Sequence, residues 1–291
     1  MALAKLVRRT KRERSLTTLI ASRIKEERVL LPPQADDWFR VSSLYKVCAR
    51  EEVLCHRHEV TRTDKIDPSL SLIFSHGHGL HYALQNIVLP KCGIIIGQWL
   101  CKQCGKKHGG KPKNGDLERG LCFRPERCRR CGAGAREGDD DTDNPFLYNE
   151  LYFRDEDLRI HGHTDSFLRM PGVSSPGIGE IKSIGLRGGY EIRKAPRLDH
   201  VIQAQAYLML TGLNWAVIIY WIKGEVGTGA IVEHFVERDD ETINSIRGMV
   251  RSIRQGIRDD VLPDRICAKK DCTRAKECSV TKQCFGNGEA K

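Results

Sequence analysis

The sequence predicts an α/β fold: a central mixed sheet flanked by helices, with a zinc-ribbon insertion and a cysteine-rich tail. Three observations carry this. Apolar residues alternate over short runs at 147–154 and 158–168, and a further apolar run covers 178–184, as expected of strands. Segments 200–210 and 243–257 repeat at helical spacing and alternate with strand-like runs at 216–222 and 230–236. Most of the 12 cysteines fall into two groups outside these runs, one in the middle of the chain and one at its end.

In chain order, residues 1–30 are basic, with Leu16, Leu19, Ile20 and Ile24 at roughly helical spacing. This stretch reads either as a solvated arm or as a nucleic-acid-contacting helix. Ser42–Ser43 is placed to cap a helix running through Cys48 to Leu54. A second helix is expected near 80–89, with Leu80, Leu84, Ile87 and Val88 on one face. Residues 93–99 read as a strand, and the acidic run 137–143 as a solvated loop. Runs 147–154 and 158–168 are expected to pair as a hairpin, and the turn before 178–184 is marked by Pro171, Gly172, Pro176 and Gly177. The predicted organisation is a basic arm over 1–40, a core over 41–100 and 144–260, an insertion over 101–143 and a tail over 261–291.

The 291 residues, 40% of them hydrophobic, can bury one large core. No run approaches the roughly 18 apolar residues of a membrane span, and the short run after the basic N-terminus lacks the pattern of a signal peptide. The expected setting is the cytoplasm, without a membrane partner. There, clustered cysteines hold metal more often than they form disulfides. A net charge of +10, from 48 basic and 38 acidic side chains, favours a polyanionic partner.

Chemistry concentrates at 160–207. On a strand, residues two apart share a face, so Glu180 and Lys182 point the same way, and Asp165 on the preceding strand can sit beside Glu180. Two carboxylates on neighbouring strands offer hard oxygen ligands to Mg²⁺ or Mn²⁺. A nearby lysine suits charge developing on a phosphoryl group. Gln203 and Tyr207, four apart on the next helix, share one face of it. His161 and His163 share the strand face of Asp165, and His76 and His78 lie near in sequence. A lone histidine or helix aromatic would be read as structural, and Glu-x-Lys alone is common on exposed strands.

The combination is more specific. Gly77 to His81, Gly162 to Asp165, Glu180 to Lys182 and Gln203 to Tyr207 stand in order. They resemble the Gly-x-x-x-His, Gly-x-x-Asp, Glu-x-Lys and Gln-x-x-x-Tyr motifs of the RecB-like branch of the PD-(D/E)XK nuclease superfamily. The resemblance spans about residues 74–210. It implies a metal-dependent DNA nuclease with Asp165, Glu180, Lys182, Gln203 and Tyr207 in catalysis. It also implies that His81, Asp165, Glu180 and the Ile181 main-chain carbonyl hold Mg²⁺ or Mn²⁺. An exonuclease on DNA ends or single strands is expected, in recombination, repair or replication, from a bacterial or phage source. A helicase or recombinase could supply the substrate. An endonuclease on branched or flapped DNA, or a non-catalytic DNA-binding subunit, stands as the alternative.

Cys101-x-x-Cys104 and Cys128-x-x-Cys131 are paired knuckles with the spacing of a zinc ribbon. His108 and Cys122 are possible substitute ligands. Lys102, Lys106, Lys107, Lys111, Lys113, Arg127, Arg129 and Arg130 surround the knuckles. They suit a nucleic-acid backbone, or the insertion is simply a small folded unit. Cys267, Cys272, Cys278 and Cys284 are spaced more widely. With Cys48 they resemble the iron–sulfur nucleases of the same superfamily, which implies a [4Fe–4S] cluster on Cys48, Cys267, Cys278 and Cys284, with Cys272 as substitute for Cys267. The rival reading is a zinc site of the four tail cysteines, leaving Cys48 as a buried thiol. Cys55 and Cys92 read as spare buried thiols.

Overall fold

A computed structural model describes residues 38–60, 68–110, 117–135 and 143–286. The basic segment 1–30, Lys111, Lys113 and most of the acidic run lie outside the described residues. The fold is mixed α/β, with sheets flanked by helices.

The main sheet has five strands: β2 (Ile95–Ile96), β8 (Ser166–Leu168), β9 (Gly177–Gly185), β10 (Trp215–Lys223) and β11 (Ile231–Glu237), in the order β11-β10-β9-β8-β2. β9 and β10 run parallel and the other pairs antiparallel, so the sheet is mixed. β10 is apolar almost throughout, as a strand covered on both faces must be. Between β9 and β10 the chain forms two helices, Leu186–Ile192 and Leu198–Thr211. The second ends at Gly212, whose positive φ of 73° closes the last turn. Helix Asp240–Asp259 follows β11, capped by the Asp239 carboxylate, which accepts from the amides of Glu241 and Thr242. It buries Ile243, Ile246, Val250 and Ile253, one apolar stripe. β9, β10, β11 and the helices Leu198–Thr211 and Asp240–Asp259 end within three residues of the bounds predicted from sequence, whereas helix Leu186–Ile192 was not predicted. No helix among the described residues is long and apolar enough to cross a membrane.

The structure differs from expectation where strands change partners. Run 147–154 is two strands: β5 (Phe146–Asn149) pairs with β3 (Gln98–Cys101), and β6 (Leu151–Asp155) pairs with β7 (Ile160–Thr164). Run 158–168 is likewise split into β7 and β8, the latter joining the main sheet. The breaks fall at Glu150 and Asp165. The hairpin is therefore the β6–β7 pair alone, and the outer halves belong to other sheets. Strand 93–99 is also divided, into β2 and β3, at Gly97. A Cβ there would lie 2.5 Å from the Tyr148 ring, so only glycine admits that close approach. β3 lies between β4 (Lys107–His108) and β5, and β1 (Phe39–Arg40) runs parallel to β7.

Two helix starts also move. Val41–Lys46 is a 3₁₀ turn containing Ser42–Ser43, and the helix proper is Ala49–Arg57 with Cys48 at its N-cap. The extended backbone of Val47 and Cys48 separates the two. The helix expected near 80–89 begins at Pro68, runs to Ala83, passes through a π turn at Leu84–Val88 and adds Leu89–Lys91. Its first half gave no amphipathic signal because Leu72, Ile73 and Phe74 are all exposed. The π turn changes the buried face to Leu84, Gln85 and Asn86, while Val88 is exposed.

Candidate functional site

Glu180 and Lys182 project from the same face of β9, and Lys182 Nζ donates to Glu180 Oε1 at 2.6 Å. Glu180 is completely buried, and its other oxygen, Oε2, has no hydrogen-bond partner among the described residues. Asp165 occupies the break between β7 and β8, where it leaves the strand ladder. Its Oδ2 accepts the Ile181 backbone N–H at 2.8 Å, taking the place of a strand partner. Its Oδ1 lies 3.6 Å from His81 Nδ1. His81 stands in the last turn of helix Pro68–Ala83. The elements thus bring His81, Asp165, Glu180, Ile181 and Lys182 together.

Burial sets the electrostatics. It raises Asp165 to about 7 despite Lys182 nearby, and raises Glu180 to about 7 with the Asp165 charge adding to it. Burial opposes the charge of Lys182, but Glu180 and Asp165 together outweigh it and lift its pKa. Burial lowers His81, which leaves its imidazole neutral and able to ligate at neutral pH. A half-buried and a fully buried carboxylate, the latter with an oxygen that has no donor among the described residues, fit a divalent cation.

Sequence reasoning missed Glu150 and Gln85. His81, Glu150 and Asp165 each offer a ligand atom, all within 4.8 Å of one another. Gln85 Nε2 donates to Glu150 Oε1 at 2.8 Å and to the Asp165 carbonyl at 2.7 Å. A signal for Glu150 existed: the buried positions are Phe146 and Tyr148 before it, then Leu151 and Phe153 after it. That change of parity marks a strand break.

Tyr207 is buried on helix Leu198–Thr211 and donates to the His163 carbonyl at 2.6 Å, with Gln203 hydrogen-bonded to its phenol. Burial, then the Glu180 and Asp165 charges, raise its pKa. Tyr207 therefore fixes the strand that ends at Asp165. The glycine two residues into that strand has a steric reason: a Cβ on Gly162 would sit 2.9 Å from Tyr207 Oη. Gly77 has none, since the nearest atom to such a Cβ, Ser183 Oγ, is 3.7 Å away. His161 and His163 pack against Tyr152 at ring separations of 5.7 and 5.0 Å. His76 and His78 are exposed.

Cys101, Cys104, Cys128 and Cys131 converge with all sulfurs within 4.8 Å. Cys101 and Cys131 are 3.7 Å apart, and Cys104 and Cys128 3.6 Å. A tetrahedral ion with bonds of about 2.3 Å places its sulfurs about 3.8 Å apart. The knuckles share one turn: Gly105 N bonds the Cys101 carbonyl and Gly132 N the Cys128 carbonyl, both at 2.9 Å and both with positive φ. His108 Nε2 lies 3.3 Å from Cys128 Sγ. Cys122 lies outside this group, its thiol donating to the Gly97 carbonyl.

In the tail, Cys48, Cys267, Cys278 and Cys284 line one cavity with Arg274 and Ile266. Among the described residues, no tail group brings three sulfurs within the span of a single ion. Cys272 caps helix Thr273–Glu277, its sulfur accepting the Ala275 N–H at 3.4 Å, and its thiol also lies against that of Cys267. Arg274 donates to the carbonyls of Lys46 and Val47, and Ser279 bonds Glu51, so the tail is tied to the segment around Cys48.

No protein-family model matches the chain, and no curated protein matches it. Among solved structures it is similar to an alkaline exonuclease (LHK-Exo) from Laribacter hongkongensis, with TM-score 0.42 and 14% identity over 77% of this chain and 90% of that one. A complex of LHK-Exo with dAMP gives TM-score 0.42 and 13% identity at the same coverage. A phage-related exonuclease from Haemophilus somnus gives TM-score 0.31 and 16% identity over 39% of this chain and 62% of that one. Likenesses this distant carry no argument about the chemistry of this chain, which stands on its own residues.

Proposed function

We propose that this protein is a metal-dependent DNA nuclease, an exonuclease on DNA ends or single strands. The observation that carries the reading is the junction of Asp165, Glu180 and Lys182 beside His81, with a buried carboxylate oxygen that has no donor among the described residues. His81, Asp165, Glu180 and the Ile181 carbonyl would hold Mg²⁺ or Mn²⁺, which supplies a polarised phosphoryl oxygen and an activated water. Lys182, protonated and held by Glu180, offsets charge developing on the phosphate. Tyr207 and Gln203 are positioning residues, holding the strand that carries Asp165. The net charge of +10 suits a polyphosphate substrate. The four-motif resemblance supports the same reading.

The knuckle cysteines would hold Zn²⁺, and Cys48, Cys267, Cys278 and Cys284 a [4Fe–4S] cluster, a centre too large for its thiolates to meet at single-ion distance. The test is cleavage of end-labelled linear and closed circular DNA with Mg²⁺ or Mn²⁺. Linear DNA should be degraded and circular DNA spared. Asp165→Ala should reduce the rate by about 100-fold or more while DNA binding persists. Unchanged cleavage by that variant overturns the assignment, and cleavage of circles would make the protein an endonuclease.

A further inference from the structure

We propose that Glu150 is a further ligand of the active-site cation, positioned by Gln85; the word "active-site" rests on the nuclease reading above. His81, Glu150 and Asp165 come from a helix end and two strand breaks, yet their ligand atoms lie within 4.8 Å of one another. A mixed imidazole and carboxylate set of this span suits Mn²⁺ or Mg²⁺. Independently, the adjoining Glu180 leaves Oε2 fully buried, without a donor among the described residues, beside the Asp165 carboxylate.

The placement of Glu150 is built rather than incidental. It follows β5 at the residue where the chain leaves one sheet for another, so its side chain is not committed to either face. Gln85 is buried in the π turn, and its amide nitrogen serves both Glu150 Oε1 and the Asp165 carbonyl. One hydrogen-bond donor thereby sets the separation of two ligand residues. The same turn presents Asn86, whose side-chain oxygen accepts the Tyr148 N–H at 2.7 Å and whose nitrogen donates to the Tyr82 carbonyl at 3.1 Å. These bonds join the helix carrying His81 to the strand that ends at Glu150. A π turn carries one extra residue, and here that places two amide side chains on the interior.

The experiment is Mn²⁺ binding, read by loss of the free-ion electron paramagnetic resonance signal. Full-length protein is desalted rather than chelated, so thiolate-held metals stay in place. Glu150→Gln preserves shape and removes the charge, and should weaken Mn²⁺ binding at least about 10-fold, or about 1.4 kcal/mol. Gln85→Leu should weaken it less and raise the Mn²⁺ concentration for half-maximal cleavage, with the rate restored at saturating Mn²⁺. Glu156→Gln, on the surface, should change nothing. If Glu150→Gln misfolds by near-ultraviolet circular dichroism, Glu150→Asp is read in the same way. Wild-type affinity in the Glu150 variant overturns the proposal, as does a wild-type protein that binds no Mn²⁺. Mn²⁺ binding through Glu150 without any DNA cleavage would instead sink the nuclease reading and leave the site. Cleavage by wild type, with normal Mn²⁺ binding in Glu150→Gln, sinks only this proposal.

Discussion

The oxygen-rich centre at His81, Glu150 and Asp165 and the thiol centre at Cys101, Cys104, Cys128 and Cys131 are both tight enough for one ion, yet they are assembled differently. The thiol centre uses two copies of a local turn, each placing its cysteine pair through a glycine of positive φ. Four sulfurs within 4.8 Å of one another would fill the shell of a tetrahedral ion and leave no position for a substrate. The candidate ligand atoms of the oxygen centre come from three separate elements, two of them where strands change sheets. It keeps a lysine beside its carboxylates. Closed coordination stabilises, whereas an incomplete shell with a neighbouring cation can act on a substrate.

The sharpest way to break this contrast is to damage one centre and measure both. Lys182→Ala should lower DNA cleavage about 100- to 1,000-fold while leaving zinc content and melting temperature close to wild type. Cys104→Ser should do the reverse first, losing one zinc per chain and several kcal/mol of local stability. Because β5 leads from the ribbon sheet directly to Glu150, cleavage should then fall as a consequence of unfolding. Equal zinc loss in both variants would show that the centres are one cooperative unit.

A smaller effect concerns the tail, where Cys48, Cys267, Cys278 and Cys284 surround a cavity. Anaerobically purified protein should absorb near roughly 400 nm. Cys48→Ser and Cys267→Ser should lose that band, whereas Cys272→Ser should keep it and leave stability close to wild type, because serine is itself a strong helix cap. Loss of the band in Cys272→Ser with retention in Cys267→Ser would make Cys272 the cluster ligand, and a colourless wild type rich in zinc would favour the all-zinc tail.

The smallest effect tests the border of the oxygen centre. His200 bonds Tyr220 through Nδ1, and burial followed by the nearby Lys182 charge depress its pKa to about 4. A histidine whose folded pKa lies below its unfolded value prefers to stay neutral in the fold. Its contribution is complete above about pH 6.5 and is lost as pH falls toward 4, on the order of 1–2 kcal/mol after allowing for partial exposure. His200→Gln should flatten the fall in melting temperature between pH 7 and pH 5. An unchanged slope would assign the acid sensitivity elsewhere.

Much of this was legible in the sequence. β9, β10, β11 and the helices at 198–211 and 240–259 were found because each keeps one apolar pattern from end to end. The failures share a cause. Alternation over 147–154 and 158–168 looks continuous, but each run serves two sheets, and the partner changes at Glu150 and Asp165. Glu150 was overlooked because it sits outside the four motifs, although the parity change around it was visible. Gln85 gave no signal, since a π turn has no sequence period of its own and the preceding helix is largely exposed.

By itself the sequence determined what depends on neighbours along the chain. A strand puts Glu180 and Lys182 on one face, and a Cys-x-x-Cys-Gly turn aims two sulfurs at one point, because short-range backbone geometry fixes both. Only the tertiary structure decided what depends on meeting across the fold. It brought Glu150 and Gln85 to Asp165, gave Gly162 its reason in Tyr207, and set Cys267 on the tail cavity while making Cys272 a helix cap. Those positions follow from which strands pair and which loops pack, and no local spacing encodes that choice.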